Sequence, residues 1–350
     1  MTCKKLSAVA DLLKKVGADA LVVFDEPTIR FFCGMDVSDN AMVITDGEAV
    51  LIADNRYIGD AEKLKGVRTV LNDGGLFPLL ERLFSEAGVK TVAVNESKLT
   101  FSQYEKLSAV CEIKKAASEL FAVRAFKEGA DLEAIKKAQS ITDAAYKHIL
   151  PYFKEGVTEN EIVSEMIYFM RKQGAAEAFD TIVLFGPKTA VPHGVPSDVK
   201  LRKDVPVLLD FGAKYAGFCS DMSRSFYFGR PTEEYAAAWK TVFEAQAAAL
   251  AGIKAGMTGK ECDALARGVI EKSRFAGTFT HSLGHGVGVE IHEWPNFAPR
   301  FEGPIPEGSV LSVEPGVYLA GRFGVRIEDI VHVEKDGVRN LTHSEKFSVL

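Results

Sequence analysis

The sequence predicts two domains: a small α/β domain over residues 1–120, then a larger α+β domain over 121–350, with helices backing a curved antiparallel sheet that has an internal pseudo-twofold. Three observations carry this. At roughly 150 residues per domain, a chain of 350 residues holds about two. Residues 1 to about 115 alternate short helical and strand-like runs. Beyond them, Lys154, Gly156, Thr158 and Glu161 recur one hundred residues on as Lys254, Gly256, Thr258 and Glu261, the mark of a duplicated unit.

In chain order, Leu6 to Val16 reads as an amphipathic helix, Ala20 to Phe24 and Ala41 to Thr45 as apolar strands, and Asp46-Gly47 as the turn into a third strand, Ala49 to Ala53. Cys111 to Gly129 mixes charged and small residues and holds the domain boundary, near residue 120. A long helix follows from Ala130 to Leu150, with Leu132, Ile135, Ala138, Ile141, Ala145 and Ile149 on one face. In each repeated stretch Gly ends a helix or its loop, Thr caps the next, and Glu three residues later completes a capping box. Strands are expected at Thr181 to Phe185, Val205 to Phe211 and Phe218 to Phe228 after the first copy, and at Val310 to Leu319 and Val325 to Val333 after the second. The two half-domains should enclose a cleft.

Composition narrows the function. With 47 % hydrophobic and 26 % charged residues the chain is an ordinary globular one. Its 42 basic and 48 acidic residues leave a net charge of -6, without a broad basic surface for nucleic acid. Lys4, Lys5, Asp11, Lys14 and Lys15 break up the opening residues, and no apolar run reaches the length of a membrane span, so no membrane association and a cytoplasmic protein are expected. Cys3, Cys33, Cys111, Cys219 and Cys262 fit reduced thiols, and Cys219 reads as a small filler rather than a nucleophile.

The chemistry gathers in the second domain. If Asp210 and Asp221 pair across a hairpin centred between Tyr215 and Ala216, their carboxylates face each other about 5 Å apart. Taken alone, the pair reads equally as a metal site or as acids on the wet face of a hairpin. Three residues shift the balance. His285 lies in Gly-His-Gly-Val-Gly, where glycines permit close approach, while Glu314 and Glu328 interrupt apolar strands in which a lone buried Glu is unusual. Four carboxylates and one imidazole balance two divalent ions. An oxygen-rich set suits Mn²⁺ or Co²⁺ and tolerates Zn²⁺. Two such ions activate a water and polarise a carbonyl, the parts of amide hydrolysis. His193, His281 and His292 sit near Gly or Pro in the same domain, while His148, His332 and His343 look incidental.

At this point the chain resembles the pita-bread metallopeptidases, in particular the Xaa-Pro dipeptidase (prolidase) and aminopeptidase P branch. Phe179-Asp-Thr-Ile-Val, Pro192-His-Gly, Leu209-Asp-Phe-Gly, Cys219-Ser-Asp-Met-Ser-Arg-Ser-Phe, His281-Ser-Leu-Gly-His-Gly-Val-Gly, Val313-Glu-Pro-Gly-Val-Tyr and Gly324-Val-Arg-Ile-Glu-Asp carry the resemblance along nearly the whole chain. It implies a creatinase/prolidase-like first domain and a pita-bread catalytic second domain. It also implies that Asp210, Asp221, His285, Glu314 and Glu328 are metal ligands, with Asp221 and Glu328 bridging or bidentate, and that Glu314 takes the proton of the attacking water. His193 and His292 would orient the scissile carbonyl and His281 would line the pocket. Phe179 and Ile291 would wall the proline ring. Arg326, two residues from Glu328 and so expected on its strand face, is similar to the family's arginine that holds a ligand carboxylate.

Short proline-containing peptides and a homodimer are the implied partners. One position departs from the pattern: many dipeptide-restricted relatives carry an arginine where this chain has Asn296, and an amide makes no bidentate carboxylate clamp. Arg300 or Arg322 is the candidate replacement. The competing readings are a methionine aminopeptidase, which usually lacks the first domain, a metal-free creatinase-like enzyme, and a non-catalytic peptide- or partner-binding module. The last two predict a damaged ligand set, and all five residues are present.

Overall fold

The structure, a computed structural model, describes residues 1–350 and divides between Arg124 and Ala125 into two compact units. In the first, β1 (Ala20–Val23), β2 (Ala41–Ile44), β3 (Ala49–Ala53), β4 (Arg68–Leu71), β5 (Thr91–Val94) and β6 (Glu112–Lys115) form one sheet in the order β4-β3-β2-β1-β5-β6. The pairs β1–β2 and β2–β3 are antiparallel, and β1–β5, β3–β4 and β5–β6 are parallel. Every residue of β1, β2 and β3 is buried, which is why these strands read as continuous apolar runs rather than alternating ones. The opening helix runs Cys3–Val16, starting earlier than its apolar face because Thr2 caps it by accepting from the Lys5 amide. The stretch 111–129, expected to be an irregular boundary, holds β6 and a helix, Ala117–Ala125. Lys and Glu disguise β6 because it is an edge strand.

The second unit opens with a helix, Gly129–Ile149, whose six expected apolar positions are all buried. Both repeated stretches build the same joint. Thr158 and Glu161 form a capping box on the helix Glu159–Lys172, and Thr258 and Glu261 form one on Gly259–Glu271. Gly156 and Gly256 precede them at φ 92° and 82°, and each threonine makes an isolated bridge to a later strand-like segment, Thr158 to Lys200 and Thr258 to Pro304.

The strands of this unit are β7 (Ala176–Glu177), β8 (Ile182–Phe185), β9 (Val205–Phe211), β10 (Ala213–Tyr215), β11 (Phe218–Cys219), β12 (Met222–Phe228), β13 (Gly284–Gly286), β14 (Glu293–Phe297), β15 (Val310–Val313), β16 (Gly316–Leu319), β17 (Phe323–Arg326), β18 (Asp329–Glu334) and β19 (Gly337–Asn340). Pairing is antiparallel throughout, in the orders β11-β10-β7, β12-β9-β8, β14-β13-β15-β18-β19 and β16-β17.

Three expected strands are each two. Phe218 to Phe228 breaks at Ser220-Asp221, Val310 to Leu319 at Glu314-Pro315, and Val325 to Val333 at Ile327-Glu328. At each break the chain passes from one sheet to another, and each break holds one of the singled-out carboxylates. No helix is long and apolar enough to cross a membrane.

Candidate metal centre

The hairpin that carries Asp210 and Asp221 turns at Ala216-Gly217, with φ of 47° and 83°. Two left-handed residues in succession are what a two-residue hairpin loop requires, and they move the register two residues on from the expected pairing. Asp210 therefore faces Ser223 rather than Asp221. Because the shift is even, both acids stay on one face, and both line the same cavity.

That cavity, about 610 Å³, is bordered by Asp210, Asp221, His285, Glu314 and Glu328 together with Phe179, His193, His281, Ile291, His292, Asn296 and Arg326. Donor atoms of Asp221, His285 and Glu328 all lie within 4.8 Å of one another. Glu314 Oε1 lies 3.3 Å from His285 Nε2, and Asp221 Oδ2 lies 3.6 Å from the same nitrogen. Asp210 is turned aside, its Oδ2 accepting from Arg326 Nη2 at 2.5 Å. His285 Nδ1 is 3.1 Å from the Gly286 carbonyl, which only accepts, so this nitrogen carries the proton and the Nε2 lone pair faces the carboxylates.

The glycines beside His285 let neighbouring backbone approach closely. A Cβ at Gly284 would lie 1.9 Å from Ser312 O, and one at Gly286 2.7 Å from Glu293 O, so their absence lets neighbouring backbone close on β13.

Burial dominates the electrostatics. It pushes Asp221 and Glu328 well above the usual carboxylate range, with the neighbouring carboxylates adding to it. It also raises Glu314 to about 8, against the pull of Arg326. His285 is pushed down to about 3 by burial and by nearby His292, so it brings no positive charge. His281 falls to about 4, again from burial and then from Arg326. Its Nδ1 donates to Ser282 O at 2.8 Å, and its Nε2 accepts from Tyr318, whose hydroxyl in turn accepts from Arg326 Nη1. The His292 ring stands edge-on to that of His285 at 4.2 Å.

The break at Ile327 takes Arg326 off Glu328's strand, so the shared strand face expected of the two does not form; the ligand-candidate carboxylate it holds is that of Asp210. Glu328 is held by Ser223, whose hydroxyl donates to Oε2 at 2.7 Å and also accepts from Arg326 Nε. Ser223, Ser312, which donates to Glu314, and Tyr318 are parts of the site that the sequence reading missed. Their only signal is a hydroxyl two or four residues from a singled-out acid. Arg322 pairs with Glu234 away from the cavity. Arg300 lines an adjoining space of about 430 Å³ that shares His281 and Ser282 with the main one. Cys219 is buried, its thiol pushed up to about 12 by desolvation, which suits a filler.

Residues 133–335 match metallopeptidase family M24, and residues 5–126 match the creatinase/prolidase N-terminal domain. The chain belongs to metallopeptidase family M24. Among its relatives, a Xaa-Pro dipeptidase of Pyrococcus horikoshii is 31 % identical over 98 % of both chains. The solved structure of a Xaa-Pro dipeptidase from Bacillus anthracis is 34 % identical, with a TM-score of 0.95 over 99 % of both chains. That of an X-Pro aminopeptidase from Thermotoga maritima is 33 % identical, with a TM-score of 0.90 over 97 % of this chain and all of the other.

As an M24 metallopeptidase the chain works with divalent metal ions, and its donor set suits them. Asp210 Oδ1 and Asp221 Oδ1 are buried without a hydrogen-bond partner. Buried anions in that condition are costly unless a proton or a cation meets them.

Proposed function

We propose that this chain hydrolyses the Xaa-Pro bond at the N-terminus of short peptides, with two divalent cations held by Asp210, Asp221, His285, Glu314 and Glu328. The observation that carries the reading is the meeting, in one cavity, of unpartnered buried carboxylate oxygens with an apolar wall. The relatives named for Xaa-Pro cleavage support the choice of bond. Cations bound there supply an acidified water and a polarised scissile carbonyl. The oxygen-rich donor set favours Mn²⁺ or Co²⁺, with Zn²⁺ tolerated.

The chain's own residues do the rest. Glu314 accepts the proton of the attacking water and returns it to the proline nitrogen as the bond breaks. His193 and His292 orient the scissile carbonyl and donate to its oxygen as charge develops. Phe179 and Ile291 flank the proline ring, whose rigidity rewards a preformed apolar slot. The Ser282 carbonyl fixes the tautomer of His281, Tyr318 donates to its other nitrogen, and Arg326 fixes Asp210.

Substrate length turns on the cations. Arg326 is the one guanidinium lining the cavity and is engaged by Asp210, while Asn296 occupies the wall. A dipeptide's terminal carboxylate therefore meets no free guanidinium there, and the reading extends to longer peptides, whose ends approach Arg300. Its state is read as a homodimer and its location as cytoplasmic; light scattering decides the first and cell fractionation the second.

The test is hydrolysis of Ala-Pro beside Ala-Pro-Ala by protein stripped of metal and resupplied with Mn²⁺, Co²⁺ or Zn²⁺. Cleavage of at least one, restored by metal, is expected, with the tripeptide preferred. Equal use of the dipeptide removes the weight placed on Asn296. Cleavage of neither with any metal overturns the reading in favour of a binding module.

A further inference from the structure

We infer that Arg224 and the segment 343–350 are working parts of the metal centre, setting the position of Glu328 although none of them lines the cavity. The inference rests on the reading of Glu328 as a metal ligand.

Arg224 lies on β12, next to Ser223, and its side chain is only 2 % exposed. Its guanidinium serves two groups of acceptors. On one side Nη1 donates to Ser223 O at 3.0 Å and to Glu328 O at 2.6 Å, joining the two segments that meet where the Glu328 amide donates to Ser223 O and the Ser223 hydroxyl donates to Glu328 Oε2. On the other, Nη2 donates to Ser344 O at 2.9 Å and Nε to Glu345 O at 3.3 Å. Between them Nη2 also meets Asp329 Oδ1 at 3.0 Å, and Asp329 directly follows Glu328.

The segment is fastened along its length. Asp143 accepts from the His343 and Ser344 amides and from the Ser344 hydroxyl. Lys346 Nζ reaches Asp329 Oδ2 at 2.5 Å, and Asn340 reaches the same oxygen at 2.7 Å. Phe347 packs on Tyr146 and Phe226. Tyr227 exchanges backbone hydrogen bonds with Ser348 and Leu350.

The electrostatics give this arrangement its consequence. Asp329 is fully buried and stands between two cations, Arg224 and Lys346, with the carbonyls of 344 and 345 completing the guanidinium's shell. Remove the segment, and a buried guanidinium loses two acceptors while a buried carboxylate loses its lysine. Relaxation of either group moves the 328–329 backbone, and the Glu328 carboxylate with it.

The experiment uses Lys346→Met, Lys346→Arg, Arg224→Met and a chain ending at Thr342. Mn²⁺ is titrated calorimetrically into each metal-stripped protein, and the Co²⁺ visible spectrum reports the ligand field. Lys346 is 18 % exposed and does not line the cavity, so Lys346→Met tests positioning with the least threat to folding. We expect Lys346→Met to weaken Mn²⁺ binding at one site by about tenfold and to alter the Co²⁺ spectrum, with Lys346→Arg restoring both; truncation and Arg224→Met should weaken it more. Lys346→Met with wild-type affinity and spectrum, whatever its melting temperature, overturns the inference. Failure of the wild-type chain to bind metal would instead sink the reading on which it rests.

Discussion

The two units differ in the ion pairs they hold away from water. In the first, ion pairs such as Arg68–Glu48 and Lys63–Asp60 sit in solvent, with the Arg68 and Glu48 side chains 48 % and 50 % exposed. In the second, Arg224–Asp329, Arg326–Asp210 and Lys127–Glu293 are buried, the first at 2 % and 0 %. Exposed pairs are screened and contribute little, whereas a buried charge is tolerable only where each partner is held in place. Pairs of the first kind therefore read as a solvated surface. The second unit has solvated pairs as well, such as Lys260–Glu302, but its buried ones read as a device that keeps carboxylates where water alone would not hold them.

The sharpest way to break the contrast is Asp221→Asn. The amide keeps the volume and removes a charge that burial already disfavours, so the chain should fold. Activity should fall by at least about a thousandfold, the several kcal/mol that a positioned ion contributes to such a reaction. Metal content per chain, measured on the same sample, should fall with it. A folded Asp221→Asn protein with full metal and full activity would remove Asp221 from the centre and leave the buried acids of the second unit without a purpose.

How much of this was legible in the sequence follows from the same contrast. Carboxylates and an imidazole inside apolar runs are conspicuous, and all five border one cavity because each acid other than Asp210 lies at a break between sheets. The breaks themselves are hidden, because Val, Ile and Phe on both sides of Glu314 or Glu328 look alike whether the strand continues or changes sheet. Arg326 shows the cost. Counting two residues along a strand puts it on Glu328's strand face, but the chain breaks at Ile327 and presents it to Asp210, more than a hundred positions away. Ser223 and Tyr318 are silent for another reason, since a hydroxyl has no periodicity and its partner lies on a different segment. Helix ends were the most readable, as the capping boxes at Thr158 and Thr258 are local.

A smaller effect sharpens the contrast through pH. In metal-free protein Glu314 is raised by burial to about 8, from an ordinary value of 4.5. Between those values the folded state keeps a proton that the unfolded state has released. The resulting stabilisation is complete below 4.5 and is lost as pH rises through 8. His281 and His285 act in the other direction, their depressed values contributing stability that is present above 6.5 and lost as pH falls toward about 4 and 3. Comparing wild type with Glu314→Gln isolates the first contribution. From pH 5.5 to 8.5 the melting temperature of stripped wild type should drop more than that of Glu314→Gln, and added Mn²⁺ should flatten the wild-type curve. Parallel curves for the two stripped proteins would show that Glu314 does not carry the buried proton.

The smallest effect belongs to the first unit, and it makes the comparison two-sided. Arg68 donates through Nε and Nη2 to Glu48, a two-pronged geometry that in a buried setting would be worth a great deal. Here both groups stand about half in solvent, so water replaces the lost partner as soon as one is removed. Arg68→Gln should therefore leave the denaturation midpoint, the metal content and the activity within error of wild type. Raising the salt concentration should change the wild-type midpoint no more than the variant's. A clear drop in stability or activity would mean that Arg68 is shielded from solvent in the working protein, and its surroundings would then belong with the buried charges of the second unit.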